Sequence, residues 1–515
     1  MNKTAKHTII LMAATLISKL LGFAREIALA YKYGAGMVSD AYVIAFSIPT
    51  VIFAGLGSAI LTCYVPMYTR LQEDKPRELR QFNNNITTVV VLLSAVVLGG
   101  FWLFDDAIVR LFAVGFEGEA LAFTSTLARV MMVSVVFIGV SNILQGYLQI
   151  KDSFYAVGLV SVPLNIFVVA SILLSGEANT AVLSTGLVAG YGATLVMLLV
   201  TALRKGFRYR PALSLRDSNI RRMTTLVLPI FLGRTIMQIN IMIDRTLAST
   251  LPEGTVSALN YANKIFGFVM SVFVVSVTTA SFHKLARYSA RRDLGRLKAT
   301  TVSNMGMVTL LILPISMGAI VLSGPIVRLL LGRGAFDSNA ELLTSQALAY
   351  YCTGLLFYSL KDILNNVFYA MQETKIPTVN SVLTVALNVA LNLALIKPLA
   401  HVGLALATSI SSGVTMLLLL SSLRKKIGPM GLKRYFISLL KMLIAGGAMI
   451  AAVVPVYNWL IDLEIGGKTG QLLPLLAAVL AGMLVYFTVL VLLRTRELGE
   501  LVLGLHRTLN RRKAR

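Results

Sequence analysis

Long runs of apolar residues separated by short polar segments dominate the chain from residue 8 to residue 494. A helix needs about 20 mostly apolar residues to cross the hydrocarbon core of a bilayer. Fourteen runs reach roughly that length, so the pattern predicts an all-α polytopic membrane protein with 14 transmembrane helices. The predicted spans are 8–31, 40–66, 84–104, 124–148, 154–174, 180–203, 223–248, 257–283, 302–323, 343–371, 376–397, 402–423, 434–461 and 472–494.

Basic residues are distributed unevenly between the two sides of these spans. With a cytoplasmic N terminus, 33 of the 47 Lys and Arg residues fall in cytoplasmic segments, six fall in outer loops and eight lie within spans. Lys397, Arg434 and Arg494, each the terminal residue of a span, are counted with the adjoining loops. Cytoplasmic loops of membrane proteins are enriched in Lys and Arg. One missed or additional span would reverse every later loop and destroy the asymmetry. The charge pattern therefore predicts 14 spans with both termini in the cytoplasm.

Composition supports membrane insertion and excludes several function classes. The chain is 56% hydrophobic and only 14% charged, with a formal net charge of +24. The basic loops 204–222 and 284–298 and the tail 506–515 resemble nucleic-acid-binding segments, but we interpret them as orientation signals that also attract anionic lipid. Two cysteines in apolar runs and four scattered histidines predict neither a disulfide framework nor a metalloenzyme site.

A weak internal repeat relates the two halves of the chain. "GYLQIKDSFYAVGLVSVPLN" (146–165) leads into the fifth span, and "FYAMQETKIPTVNSVLTVALN" (368–388) leads into the eleventh. Six intervening spans give both halves the same orientation, which is the parallel-repeat arrangement of some transporters. The predicted units are an N-lobe 1–222 (spans 1–6), a C-lobe 223–433 (spans 7–12), two further spans in 434–494 and a basic cytoplasmic tail 495–515.

Charges within the spans are the main candidates for function, because a charge in hydrocarbon is costly and usually faces a polar cavity. The first span carries Lys19, Arg25 and Glu26, and Lys19 shares a helical face with Glu26. Asp40 opens the second span as a possible further partner. We interpret these residues as one wall of a water-filled cavity that binds a large anion, with Lys264 supplying a cation from the second half. A static salt-bridge network is the alternative.

The other intramembrane charges have simpler explanations. Arg129, Arg234 and Lys441 lie near span ends, where long side chains can extend to the interface. Lys361 and Asp362 are expected to pair with their neighbours. These residues are therefore expected to have structural roles.

A second polar constellation consists of Asp244, Asn388, Asn392 and Thr408. Asn388 and Asn392 are four residues apart and share a helix face. Oxygen ligands of these types suit a hard cation, so the constellation is a possible Na⁺ site; no other cofactor is expected. Two alternatives remain: a local ion pair between Asp244 and Arg245, and interhelical hydrogen bonds made by the asparagines.

The first two spans carry motifs of a known family. The stretch "SKLLGFAREIALAYKYGAGMVSDAYVIAFSIP" (18–49) resembles the start of the MurJ (MviN) lipid II flippase family, within the multidrug/oligosaccharidyl-lipid/polysaccharide exporter superfamily. Further similar motifs, spread over nearly the whole chain, are "VPMYTRL" (65–71), "YANKIFGF" (261–268), "GPIVRLLLGRGAFD" (324–337), "YYCTGLLFYSLKDILNNVFYAMQETKIP" (350–377) and "GLALATSIS" (403–411).

The resemblance implies two six-helix lobes around a central cationic cavity, with a groove for a lipid tail formed by the last two helices. It implies that the substrate is lipid II, an undecaprenyl-pyrophosphate carrying a disaccharide-pentapeptide, moved from the inner to the outer leaflet of the bacterial cytoplasmic membrane for peptidoglycan synthesis. The family's essential cavity arginines fall on Lys19, Arg25 and Lys264, and its second-span acid falls on Asp40. The possible Na⁺ site described above matches the sodium positions of some members.

The chain departs from the family pattern at several positions. Two of the three matched cavity arginines are lysines, which keep the charge and lose the bidentate geometry. Ile52 and Phe53 stand where many members have an arginine pair, and Asn392 stands where an acid is frequent.

Rival functions remain open at this point. One is a flippase for another polyprenyl-pyrophosphate-linked oligosaccharide, and another is a cation-coupled multidrug antiporter of the same superfamily. A non-transporting scaffold of a cell-wall assembly complex is a third. An enzyme is not expected, since a membrane glycosyltransferase or phosphatase needs clustered carboxylates or histidines near one membrane face. The expected partners are lipid II and membrane lipids, and a cell-wall synthesis complex is a further candidate partner. Nucleic acid is not expected, and the protein is expected to be a monomer.

Overall fold

A computed structural model describes residues 3–176, 181–214, 216–463 and 472–499. These residues form 18 α-helices and no strand. In the first half the helices are α1 (Lys3–Tyr33), α2 (Met37–Asp74), α3 (Pro76–Leu103), α4 (Asp105–Phe112), α5 (Gly118–Met131), α6 (Ser134–Ile150), α7 (Phe154–Gly158), α8 (Ser161–Leu174), α9 (Ala181–Arg204) and α10 (Ser218–Ala248). In the second half they are α11 (Thr255–Ala290), α12 (Leu294–Val321), α13 (Ser323–Leu331), α14 (Ser338–Thr353), α15 (Leu355–Ala370), α16 (Lys375–Ile427), α17 (Lys433–Asp462) and α18 (Leu472–Leu492).

Every predicted span falls on a helix or a pair of consecutive helices. Among the described residues, ten helical segments are long and apolar enough to cross a membrane by length and composition. One of these, α16, contains both the eleventh and the twelfth predicted spans and is interrupted at Ala400, whose φ of 48° is not helical. The remaining predicted spans coincide with α1, with α10 and with the α14–α15 pair, which breaks at Gly354.

The first compact unit comprises Met1–Ser257 and the short segment Arg333–Asp337. Within it α10 packs along α2, α8 packs against α1 and α9, and α2 also contacts α6. The unit therefore extends past residue 222, where the sequence predicted the boundary between the lobes, because α10 associates with α2. Its core includes an aromatic cluster in which Tyr64, Phe82 and Tyr147 are buried.

The long basic segment between α9 and α10 is held against α3 by asparagine side chains. The carboxamide of Asn85 both donates to the carbonyl of Ser214 (2.8 Å) and accepts from its N–H (3.0 Å). The side-chain oxygen of the adjacent Asn84 accepts from the N–H of Arg210 at 3.1 Å. A run of polar residues at the start of an otherwise apolar helix thus fixes the path of this segment.

The second compact unit comprises Ala258–Gly332 and Ser338–Arg515. In this unit α17 packs against both α18 and α12, and α16 packs against α14 and α15. Met442, Met449 and Tyr486 are buried in the cluster between α12, α17 and α18. The basic tail predicted at 495–515 is described only to residue 499, so "HRTLNRRKAR" (506–515) lies outside the described residues.

The repeat noted in the sequence has a matching backbone geometry. Asp152 and Gln372, at the ends of α6 and α15, both adopt left-handed conformations, with φ of 54° and 59°. The N–H that follows each one donates to a carbonyl five residues earlier, Leu148 (2.8 Å) and Phe368 (3.0 Å). The same helix-terminating motif thus ends both halves of the repeat, and it also ends α9, α11 and α18.

Candidate functional site

The first helix is positioned by small residues that pack on α7 and α8. The hydroxyl of Ser18 donates to the carbonyl of Gly158 at 3.2 Å. One turn further on, a Cβ added to Gly22 would lie 3.9 Å from the side-chain oxygen of Asn165. This contact face leaves the Lys19 side chain exposed. Ser18 and Gly22 thus pack the helix against its neighbours, while Lys19 points away from these contacts.

Arg25 and Glu26 form a buried ion pair. A guanidinium nitrogen of Arg25 donates to Oε1 of Glu26 at 2.5 Å, and the two side chains are 13% and 4% exposed. The guanidinium carbon also lies 4.5 Å from the ring centroid of Phe46 on α2, a cation–π contact. Tyr42 on α2 and Tyr191 on α9 interact electrostatically with the same guanidinium. Arg25 is therefore enclosed by one carboxylate and several aromatic rings.

The aromatic partners of Arg25 were missed in the sequence analysis. Tyr42 and Phe46 lie four residues apart on α2, with ring centroids 5.8 Å apart. This i,i+4 spacing was visible in the sequence as a shared helix face. Its relation to Arg25 was not visible, because aromatic residues in an apolar helix usually pack against lipid or core. The sequence placed Lys19 and Glu26 on one helical face. In the structure Glu26 forms an ion pair with Arg25, which that face did not include.

Asp40 binds the start of α11. Its two carboxylate oxygens accept the backbone N–H groups of Gly254 (2.8 Å) and Ser257 (2.7 Å), and the residue is 3% exposed. Gly254 has a φ of 85°, and a Cβ there would lie 2.5 Å from the carbonyl oxygen of Ala35. A carboxylate at a helix N terminus satisfies otherwise unpaired N–H groups. Asp40 thus anchors backbone here, whereas the sequence suggested that it pairs with the first-span cations.

Lys264 lies on α11 in the second unit and is half-buried. Its joint action with Lys19 and Arg25 on one anion stays a prediction. The structure brings Arg25 and Glu26 together within the first unit, and it places Lys19 on the same helix as an exposed cation.

Three of the four possible Na⁺ ligands lie together in the second unit. Asn388 donates through Nδ2 to the hydroxyl of Thr408 (3.3 Å), and Asn392 donates to Oδ1 of Asn388 (3.1 Å). The fourth, Asp244, lies on α10 in the first unit. The carboxamide and hydroxyl oxygens suit a hard monovalent cation. The Asn388–Thr408 bond crosses the break in α16 and fits the alternative of interhelical bonding, whereas Asn388 and Asn392 lie on the same helical segment. Among the described residues, no group of three or more His, Cys, Asp or Glu side chains has the arrangement of a metal site.

Arg129 and Lys441 have structural contacts. Arg129 forms an ion pair with Asp105 at the start of α4, and this hydrogen bond lowers the pKa of Asp105 below its ordinary value. Lys441 donates to the carbonyl of Leu493 (2.7 Å), directly after α18. A cation at this position satisfies a carbonyl that the helix leaves unpaired.

Lys361 also has a local partner. Its ammonium nitrogen lies 3.9 Å from the ring centroid of Tyr358, one helical turn earlier on α15. The side chain of Arg234 lies outside the described residues.

Comparison with known proteins identifies close sequence relatives over nearly the full length. The family model described as "Lipid II flippase MurJ" matches residues 29–460. A probable lipid II flippase MurJ of Rhizobium meliloti is 30% identical over 496 residues, which cover 92% of this chain and 91% of that protein. A probable lipid II flippase MurJ of Vibrio cholerae is 28% identical over 513 residues, covering 95% and 96%.

Solved structures show the same fold. A lipid II flippase MurJ in an inward closed conformation superposes with a TM-score of 0.80 at 23% identity, covering 94% of this chain and 99% of that one. An inward-facing multidrug resistance MATE family transporter of the MOP superfamily gives a TM-score of 0.63 at 17% identity, covering 82% and 99%. At these identities the structural likeness establishes the fold and does not establish the substrate.

Proposed function

The chain belongs to the MurJ family of lipid II flippases, and we propose that it moves lipid II from the inner to the outer leaflet of the bacterial cytoplasmic membrane. The observation that carries the mechanism is the enclosed Arg25–Glu26 pair beside the exposed Lys19 on one apolar helix. Buried cations held by exchangeable partners are suited to bind and release an anion. The excess of cations also argues against a multidrug antiporter, which needs acids to bind cationic drugs.

In the proposed mechanism the pyrophosphate of the substrate contacts Lys19, Arg25 and Lys264. Arg25 exchanges the carboxylate of Glu26 for phosphate oxygens, which it can bind with two parallel N–H donors. Lys19 and Lys264 act as point charges. Alternating access between the two repeat-related halves then carries the head group across. Because only binding and release are needed, the chain acts as a transporter and no covalent step is required.

The proposed topology has 14 spans, with both termini in the cytoplasm. It counts α16 as two spans. It also includes α1, α10 and the α14–α15 pair, which are not among the ten long apolar segments. We assign α17 and α18 to a groove for the lipid tail, and their outer faces support this. Both carry large exposed apolar side chains, among them Leu440, Leu443, Leu480 and Leu484.

The membrane potential opposes the outward movement of an anion by about 2.3 kcal/mol per charge per 100 mV. Na⁺ binding by Asp244, Asn388, Asn392 and Thr408 is the proposed compensation, since their oxygens suit this ion. We further propose that the protein works as a monomer among membrane lipids, in contact with a cell-wall synthesis complex.

Reconstitution tests the proposal. The Lys19→Ala/Arg25→Ala double variant in proteoliposomes is expected to lose lipid II transport, because the first helix then presents no cation to the pyrophosphate. The matched control is Arg70→Ala/Lys75→Ala, which removes two exposed cations that have only local ion pairs. The control is expected to transport lipid II at the wild-type rate. Normal transport by the first double variant would falsify the cationic mechanism, and a wild-type protein inactive towards lipid II would overturn the substrate assignment.

A further inference from the structure

A buried hydroxyl without a hydrogen-bond partner lies next to the proposed anion site. Tyr42, in the second turn of α2, is 2% exposed, and no group in the described structure pairs with its hydroxyl. Buried polar groups are nearly always satisfied, since leaving one unpaired costs free energy. An unpaired hydroxyl at a functional site is therefore expected to have a partner in another state of the protein.

The surroundings of Tyr42 identify that partner. Its ring lies 5.8 Å from the ring of Phe46, which in turn stacks on the Arg25 guanidinium at 4.5 Å. Arg25 and Glu26, which pair with each other at 2.5 Å, are both charged neighbours of the Tyr42 phenol group. Glu26 is the only carboxylate among these neighbours, and an ionised carboxylate accepts several hydrogen bonds.

Release of Arg25 removes one buried hydrogen-bond donor from Glu26. When Arg25 turns to an anionic ligand, Glu26 loses the bond that now occupies its Oε1 at 2.5 Å. The carboxylate is 4% exposed, so solvent replaces the lost donor poorly. Breaking one side of a buried ion pair is unfavourable unless another group compensates the remaining charge. A tyrosine hydroxyl can supply one short, charge-assisted hydrogen bond.

We propose that Tyr42 is a positioning residue whose hydroxyl donates to Glu26 when Arg25 engages the pyrophosphate of the substrate. The proposal rests on the proposed function and assigns a specific device to it. The hydroxyl stays unpaired in the state described here and is satisfied in the ligand-bound state. Tyr42 thereby lowers the free-energy cost of releasing Arg25 from its ion pair without touching the substrate.

The Tyr42→Phe variant tests this proposal, because it removes one oxygen atom and retains the ring. In full-length protein reconstituted in proteoliposomes, lipid II affinity and transport rate are expected to fall about tenfold, the size of one hydrogen bond to a charged group. The thermal midpoint of the ligand-free protein is expected to stay constant or rise, since an unpaired buried hydroxyl is lost. The matched control is Tyr64→Phe on the same helix, whose hydroxyl donates to Asn83 at 2.6 Å. That control is expected to lower the thermal midpoint and to leave transport unchanged.

A double-mutant cycle distinguishes positioning through Glu26 from a merely structural role. In a Glu26→Ala background no side-chain acceptor remains at position 26, so adding Tyr42→Phe is expected to cause no further loss of lipid II affinity. Wild-type affinity and transport in the single variant, or additive losses in the cycle, would overturn the proposal. Normal transport by Lys19→Ala/Arg25→Ala, by contrast, overturns the proposed function, and the Tyr42 mechanism falls with it.

Discussion

Replacing Asp40 with Asn tests whether its carboxylate stabilises the start of α11. The carboxylate accepts the N–H groups of Gly254 and Ser257 at 2.8 and 2.7 Å in a buried position. Asn has the same shape but only one acceptor oxygen. Its NH₂ group would face one of the two backbone donors, so one bond is lost and the other is no longer charge-assisted.

The expected destabilisation of this helix end is about 2 kcal/mol. A hydrogen bond to a charged group contributes about 1.5–3 kcal/mol, and a neutral one contributes about 0.5–1.5 kcal/mol. An unpaired buried N–H adds a further cost of about 1–3 kcal/mol. Removing a buried charge opposes these losses, because the desolvation penalty of the carboxylate disappears. A net cost of about 2 kcal/mol corresponds to about a 30-fold shift in the local opening equilibrium.

Hydrogen–deuterium exchange of peptides covering residues 252–260, measured in detergent, checks this expectation. Exchange in Asp40→Asn is expected to be about 30-fold faster, since opening limits amide exchange in protected segments. Asp293→Asn is the control, because Asp293 caps α12 through an exposed bond to the N–H of Arg296 at 3.0 Å. It is expected to leave exchange at 252–260 unchanged. Wild-type protection of this segment in Asp40→Asn would refute the reasoning.

Three further outcomes are expected. Arg25→Lys keeps the positive charge but loses the planar guanidinium with its paired N–H donors, so lipid II transport in proteoliposomes should fall about tenfold without vanishing. Transport at the wild-type rate would show that the charge alone suffices. The bond from Arg129 lowers the pKa of Asp105, so their pair stabilises the fold above the ordinary carboxyl value of 3.8 and is lost as pH falls through the folded-state pKa. Thermal midpoints of wild type and Asp105→Asn should therefore differ at pH 7 and converge as the pH falls through the folded-state pKa of Asp105. A difference that stays constant down to low pH would contradict this. Asn388→Ala should abolish Na⁺ stimulation of transport, and a wild type indifferent to Na⁺ would exclude the sodium proposal.

The long apolar helices were predictable because the bilayer imposes a physical length on every apolar segment, while the count of 14 spans stays a prediction. The boundary between the eleventh and twelfth predicted spans is an example of a helix break that a few neighbouring residues determine. The sequence predicted a turn between residues 397 and 402, and the helix breaks at Ala400, after Pro398. Proline removes a backbone donor and clashes with the preceding turn, so this interruption is encoded in neighbouring residues.

Tertiary partners of the charged residues were harder to predict. Asp40 lies more than 200 residues from the amides it binds, and a backbone N–H has no side-chain signature in the sequence. The Arg25–Glu26 pair escaped prediction for a different reason. Adjacent helical residues point about 100° apart, so their pairing depends on the long Arg side chain bending across the helix surface. Face-based reasoning favours residues three, four or seven positions apart and overlooks such contacts.

The different surroundings of Lys19 and Arg25 imply different roles for two cations that the sequence placed together. Lys19 is exposed, so it can attract an anion as a point charge. Arg25 is enclosed by Glu26 and Phe46, and it becomes available only after an exchange of partners. In the proposed mechanism, a ligand must compensate Arg25 for the lost Glu26 contact, and a pyrophosphate with several oxygens does so better than a single charge. On this reasoning a lysine at position 19 costs little transport, while a lysine at position 25 lowers transport without abolishing it.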